Sequence, residues 1–179
     1  MAGVLSVTIE YDGILAMKQS DLNRVVRESM EWIGKYWRQH ILPRHFTHQG
    51  ATKYNYALRA GERGTGRKFR HSYTGKKLDR YGHTLPLVYT GEGRREALTD
   101  QRVIGKATAK MASVSIPLPR KYNLRRPGSP VNMADEIRAV SPEEIGILEN
   151  ELVKMLELKL RTHGQLNYAT SGVRVHIAG

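Results

Sequence analysis

Three histidines, His40, His45 and His48, crowd a short stretch of the chain, a density at which imidazoles invite comparison with a transition-metal site. Their intervals match no common zinc pattern, and no cysteine or nearby acid completes a ligand set. They read as histidines around a helix end and the loop after it. Gly61-Glu62-Arg63-Gly64-Thr65-Gly66-Arg67-Lys68 has the glycine density of a phosphate-binding loop. That chemistry needs Lys and then Ser or Thr directly after the second glycine, so that an ammonium and a hydroxyl meet phosphate and metal. Here Arg67, Lys68 and Phe69 follow Gly66, and the stretch reads as a flexible basic loop. No serine sits in a nucleophile motif such as G-x-S-x-G. No pair of carboxylates occupies an apolar context that would separate their pKa values for acid and base work. The chain holds no cysteine, which excludes disulfides, thiolate metal sites and Cys nucleophiles. The expectation is a protein without catalysis, cofactor or metal.

Charge is what the chain does carry. Lys and Arg number 29 against 17 Asp and Glu, a formal net charge of +12 over 179 residues, with a pI near 10.1. Such an excess favours a negative partner: nucleic acid, anionic lipid or the acidic face of another protein. It is concentrated. Between Lys53 and Arg80 stand nine bases (including Arg63, Arg67, Lys68, Arg70, Lys76, Lys77 and Arg80) against Glu62 and Asp79, with Tyr54, Tyr56, Phe69, Tyr73 and Tyr81 interleaved. Cations reach phosphates and aromatic rings stack on bases, but the same surface also suits an acidic neighbour. No helix-turn-helix, RNA-binding or zinc-finger pattern decides between them. No stretch approaches the roughly 20 apolar residues of a spanning helix. The start, MAGVLSVTIEYDG, lacks a basic leader region, so the expectation is a soluble protein with no membrane partner.

The elements that must position these residues follow from periodicity. Residues 4–11 alternate as a short strand, closed by Asp12-Gly13. A helix over about 20–41 starts at Ser20 or Asp21, with Leu22, Val25, Val26, Met30, Ile33 and Trp37 on one stripe. Arg24, Arg27, Glu28, Glu31, Lys35 and Arg38 fall mostly on other faces, and Pro43 stops the helix. Residues 44–84 are rich in glycine and base and poor in aliphatics. They are expected as an extended arm or insertion inside a single domain spanning 1–179. Leu85–Tyr89 reads as a strand, and 98–118 holds at least one more, with Val114, Ile116 and Leu118 alternating. Prolines 117, 119, 127 and 130 mark a loop carrying Arg120, Lys121, Arg125 and Arg126. Ser141-Pro142-Glu143-Glu144 is a capping box opening a helix over 142–162. Its stripe is Ile145, Leu148, Leu152, Met155 or Leu156, and Leu160, and His163 and Gly164 close it. Val173–Ile177 is a last strand. The expected class is α+β: two long amphipathic helices on a mostly antiparallel sheet, with a long basic arm.

The order of certain segments adds a further expectation. An amphipathic helix runs into His45-Phe46, a basic loop leads to "PLVYTGEGRR" (86–95), and "NMADEIRAVSPEEIGILENELVKMLELKL" (132–160) closes the series. This order resembles the virion morphogenesis and tail-completion proteins of tailed bacteriophages. Their pattern carries a similar P-L-V-x-T-G-x-x-R segment and, in some members, M-A-x-E-[IL] with V-[ST]-P-E-E opening a final helix. The resemblance covers residues 20–48 and 83–163. It implies a structural subunit of the head–tail junction (neck, tail-completion or connector) acting as a homo-oligomeric ring. The partners it implies are other neck, connector and tail proteins, and the passing DNA. The location it implies is the virion, after assembly in the host cytoplasm. No catalytic residues come with it. The bases to face neighbouring subunits or DNA would be Arg63, Arg67, Lys68, Arg70, Lys76, Lys77, Arg80, Arg94, Arg95, Arg125 and Arg126. On this reading the arm, 49–82, is mobile and dispensable in the isolated subunit and ordered in the assembly.

Overall fold

The computed structural model describes residues 4–11, 17–109, 111–124, 128–162 and 173–178. In chain order it contains β1 (Val4–Tyr11), α1 (Gln19–His40), α2 (His48–Lys53), α3 (Gly66–His71), α4 (Tyr73–Tyr81), α5 (Glu92–Thr99), β2 (Ile104–Ala107), β3 (Ala112–Ser115), α6 (Met133–Arg138), α7 (Pro142–Thr162) and β4 (Val173–Ala178). Short 3-10 turns occupy Leu42–Phe46 and Arg120–Asn123. The mixture of helix and sheet is compatible with an α+β class. The chain divides into two compact units: residues 1–38, 101–117 and 140–179 form the first, and 39–100 with 118–139 the second. Asp12-Gly13, Arg125-Arg126, and the His163 and Gly164 closure expected for α7 lie outside the described residues.

The first unit holds the sheet, ordered β2-β3-β1-β4 with every neighbouring pair antiparallel. Thr108 and Met111 close the β2–β3 hairpin, the Thr108 N–H donating to the Met111 carbonyl at 2.9 Å. Across the centre, Val4 faces Ser115, and Ser6 faces Ala178 on the other side of β1. Along α1, Val25, Val26, Met30, Ile33 and Trp37 are buried as their spacing requires, while Leu22 is half-buried. Arg38 departs from the outward face. It is buried, and its guanidinium donates to the carbonyls of Pro117 (2.9 Å) and Arg102 (3.2 Å), fastening the helix end to both flanks of the hairpin. Gly105 shows how close α1 comes to β2: a Cβ there would stand 2.6 Å from the Arg27 carbonyl oxygen, a backbone atom that cannot step aside.

The start of α7 obeys its capping box. The Ser141 N–H donates to Glu144 Oε2 at 3.1 Å, and the Glu144 N–H donates to Ser141 Oγ at 3.3 Å. Two backbone donors without intrahelical acceptors are thereby satisfied reciprocally. The stripe resolves to Leu148, Leu152, Leu156 and Leu160, all fully buried at one residue per turn, with Met155 and Ile145 half-buried. Replacing Leu152 with Ala is expected to lower unfolding free energy by about 2–5 kcal/mol, and Ser141→Ala by about 0.5–2 kcal/mol. Urea denaturation checks both. A cost for Leu152→Ala no larger than that of an exposed Leu158→Ala control would show the stripe is not core.

Candidate functional site

The second unit contains the basic segment, and its structure corrects two expectations. Residues 44–84 are not an extended loop but carry three short helices, α2, α3 and α4. Ser72 caps α4, accepting from the Gly75 N–H at 3.1 Å. Gly75 lets that first turn lie against α3, where a Cβ would come within 2.0 Å of the Phe69 carbonyl oxygen. The segment also supplies buried residues, among them Tyr56, Thr74 and Lys77, so it is part of the unit's body rather than a dispensable appendage. Leu85–Tyr89 is likewise not a strand. Pro86 and Leu87 form a turn in which Leu87 takes a left-handed backbone (φ 55°), a conformation a branched side chain disfavours. Gly91 (φ 85°) then caps α5.

At the centre sits a polar network anchored by Glu136 of α6. Arg59 grips its carboxylate with both arms of the guanidinium, at 2.7 Å to Oε1 and 2.5 Å to Oε2, and the Ala57 N–H donates to Oε1 at 3.1 Å. Both side chains are largely buried, 14% exposed for Arg59 and 9% for Glu136, so the pair owes its value to its geometry and to the extra donor. The Glu136 carbonyl engages His45, fully buried in the 3-10 turn after α1: Nδ1 lies 3.0 Å from that oxygen and 2.5 Å from Tyr56 Oη. A carbonyl only accepts, so the contact requires the proton on Nδ1. Tyr54 lies flat on the His45 ring, centroids 4.0 Å apart and planes within 3°. The Arg59 guanidinium stands over the Tyr56 ring at 5.9 Å.

Four of the aromatics among the bases, Tyr54, Tyr56, Tyr73 and Tyr81, have ring partners inside the unit. Tyr54 and Tyr56 pack on His45. Tyr73 stacks on Tyr89 at 5.9 Å, and Tyr81 meets Tyr89 edge-on at 4.9 Å. The three histidines are dispersed: His45 is buried, while His40 and His48 are exposed. Among the described residues no group of three or more His, Asp or Glu could hold a metal ion, and no helix is long and apolar enough to cross a membrane. A helix does follow the glycine-rich stretch, but it spans only Gly66–His71, and no strand precedes it.

The candidate bases separate into two kinds. Arg63, Arg67, Lys68, Arg70, Lys76, Arg80, Arg94 and Arg95 are exposed, as a face for neighbours or nucleic acid requires, whereas Lys77 is buried at 4% exposure. Its ammonium donates to the Leu85 carbonyl and stands 5.9 Å from the Tyr73 ring centroid. Burial, with the nearby Arg59 charge, pushes its pKa down to about 8, partly countered by Glu62. His83 is held below the ordinary imidazole range by burial first, then by Lys77 and His48. Sequence spacing gave no sign of the Arg59–Glu136 pair, whose members are 77 residues apart. The one signal was that Glu136 is the acid of the M-A-x-E segment.

Comparison of the chain with protein-family models, with curated proteins and with solved structures found no match.

Glu136→Leu strands the Arg59 guanidinium in a buried setting and is expected to cost on the order of 3–5 kcal/mol. The double variant Arg59→Met/Glu136→Leu should recover a large part of that loss, since it removes both charges together. Denaturation of the four proteins of this cycle checks it, and additive costs would show that the two residues do not interact. Lys77 carries a pH dependence of the opposite sign to a salt-bridged lysine. Its folded pKa, about 8, lies below the ordinary 10.5, so the unfolded chain binds more protons between those values and stability rises with pH there. Stability measured at pH 7.5, 9 and 10.5 (about the window that the shift defines) should climb in the native chain relative to Lys77→Met. Parallel curves would show that Lys77 is not strained by burial.

Proposed function

We propose that this chain is a structural subunit of a tailed-bacteriophage virion, one copy of an oligomeric ring at the head–tail junction that joins tail to head. What carries the reading is the ordered set of sequence segments, because each supports a joint of the fold. His45-Phe46 supplies the buried imidazole, Pro86–Gly91 the turn into α5, Met133–Ile137 the Glu136 anchor, and Val140–Glu144 the capping box. Segments kept for a shared architecture are expected at such joints. In this role the first unit is the body, its two long amphipathic helices packed on an antiparallel sheet. The exposed bases of the second unit meet acidic neighbours or the passing DNA, where weak contacts repeated around a closed ring add up. No catalytic step, cofactor or metal belongs to the proposal.

A second reading, a basic nucleic-acid-binding protein without catalysis, is favoured by one observation. Arg63, Arg67, Lys68, Arg70, Lys76 and Arg80 are all exposed on one short stretch, 63–80, that carries one acid, Asp79. Mass spectrometry of purified particles distinguishes the two. The chain should be present at a copy number that fits a ring, and its absence sinks the virion reading. Tight duplex binding by the isolated monomer, weakening with salt at a slope of about −0.9 per phosphate contact, together with that absence, would establish the second.

A further inference from the structure

Lys77 poses a question that the virion reading does not answer. A buried ammonium is ordinarily matched by a carboxylate, yet among the described residues no carboxylate forms an ion pair with it. Its one hydrogen bond goes to the Leu85 carbonyl, which leaves two of its three N–H donors to be satisfied. Arg59, the nearest competing cation, is already spent on Glu136, and Glu62 accepts from the Arg59 backbone N–H at 2.7 Å.

Lys77, Arg59 and Tyr73 form a wall shared by two clefts. The first, about 410 Å³, also takes in His48, Thr52 and Arg63 and mixes polar and apolar surface. The second, about 300 Å³, is lined chiefly by Leu87, Val88, Leu124, Val131 and Met133. Both lie in the usual range of ligand pockets, about 300–1,000 Å³. The rim is apolar as well: Leu58, Tyr73, Tyr89 and Leu124 are between 41% and 68% exposed. An unmatched buried cation beside an open apolar hollow is half of a complementary pair.

We propose that these adjoining clefts are a docking site for an extended segment of a partner protein, which sets an Asp or Glu carboxylate against the Lys77 ammonium and a neighbouring bulky apolar side chain into the Leu87–Met133 hollow. Nucleic acid offers the anion, but its flat bases stack on aromatic faces and do not fill an aliphatic hollow of Leu87, Val88, Leu124, Val131 and Met133, and a small anion would leave that cleft and its rim uncovered. Charge complementarity and apolar burial point to the same occupant.

Protonation of Lys77 gates the contact. The groups facing it are Arg59, Glu62 and Arg63 from the α2–α3 connection, His48 of α2, His83 beyond α4, and Tyr73 of its own helix. Burial, then the Lys77 charge, holds His83 below the ordinary imidazole range and so favours its neutral form. With Lys77 free at about 8 and a bound carboxylate raising that value, affinity is full below pH 8 and falls as pH rises through the bound-state value.

The test uses the full chain with 13C-labelled lysine Cε, observed by NMR, and two acetylated, amidated pentapeptides, Leu-Leu-Glu-Leu-Leu and Leu-Leu-Gln-Leu-Leu, at millimolar concentration. The Glu peptide should shift the Lys77 resonance saturably and raise its pKa by about one unit or more, a tenfold difference in affinity between its two protonation states. The Gln peptide should bind at least several-fold more weakly. Leu124→Ser, at an exposed rim position and adding no charge, should weaken the Glu peptide while leaving the free Lys77 pKa in place, and this variant keeps the test valid if Lys77→Met fails to fold. The proposal is overturned if the Lys77 signal ignores the Glu peptide, if both peptides act alike, or if sodium acetate or a short oligothymidylate acts as well as the Glu peptide.

Discussion

Two excursions of the chain, residues 39–100 and 118–139, must be held as one body, and the Glu136 carboxyl group is where they are joined. It receives three donors from the first excursion, two from Arg59 and one from the Ala57 backbone, while its own carbonyl takes the His45 contact. A bidentate guanidinium fixes both position and plane, which a single hydrogen bond cannot do. The flat stack of Tyr54 on His45 and the placement of Tyr56 follow from that geometry. Remove the carboxylate and several buried polar groups lose their reason for being where they are.

The same constraint sorts the abundant cations of this segment. Arg59 is neutralised internally and acts as structure. The exposed arginines and lysines of α3 and α4 remain hydrated, where their charge costs little and screens readily. Lys77 belongs to neither group: its chain is packed inside while, among the described residues, no carboxylate forms an ion pair with it. Composition counts these residues alike. Only their surroundings make one a strut, several a solvated face and one a strained charge.

Periodic segments were legible from the amino-acid order because their patterns are local. Both long helices, the first strand and the last strand appear within a residue or two of the expected limits, two strands (Ile104–Ala107 and Ala112–Ser115) fall inside the 98–118 window though Ile116 and Leu118 lie beyond them, and Ser141 and Glu144 make the cap their types announce. The basic segment was misread because glycine and charge density mimic a loop, while its helices are too short to show a stripe and are held by tertiary contacts instead. The strand expected at Leu85–Tyr89 failed because five apolar-looking residues cannot reveal that Leu87 turns left-handed. Arg38 is a charged type expected outside, yet two carbonyls far away in sequence accept from its guanidinium and hold it buried. The Arg59–Glu136 pair was beyond any local pattern.

The division of the chain into interleaved pieces has a consequence for synthesis on the ribosome. The second unit is complete once residue 139 has emerged, but the first is not. Its central strand β1 (Val4–Tyr11) needs β4 (Val173–Ala178), made about 160 residues later, along its far edge. At about 5–20 residues per second that wait lasts roughly ten to thirty seconds, during which one edge of β1 is without its neighbour. Pairings this distant in sequence close late and slowly. The nascent chain thus carries a finished second unit while an unfinished sheet is still open to capture by chaperones or by another copy's strand.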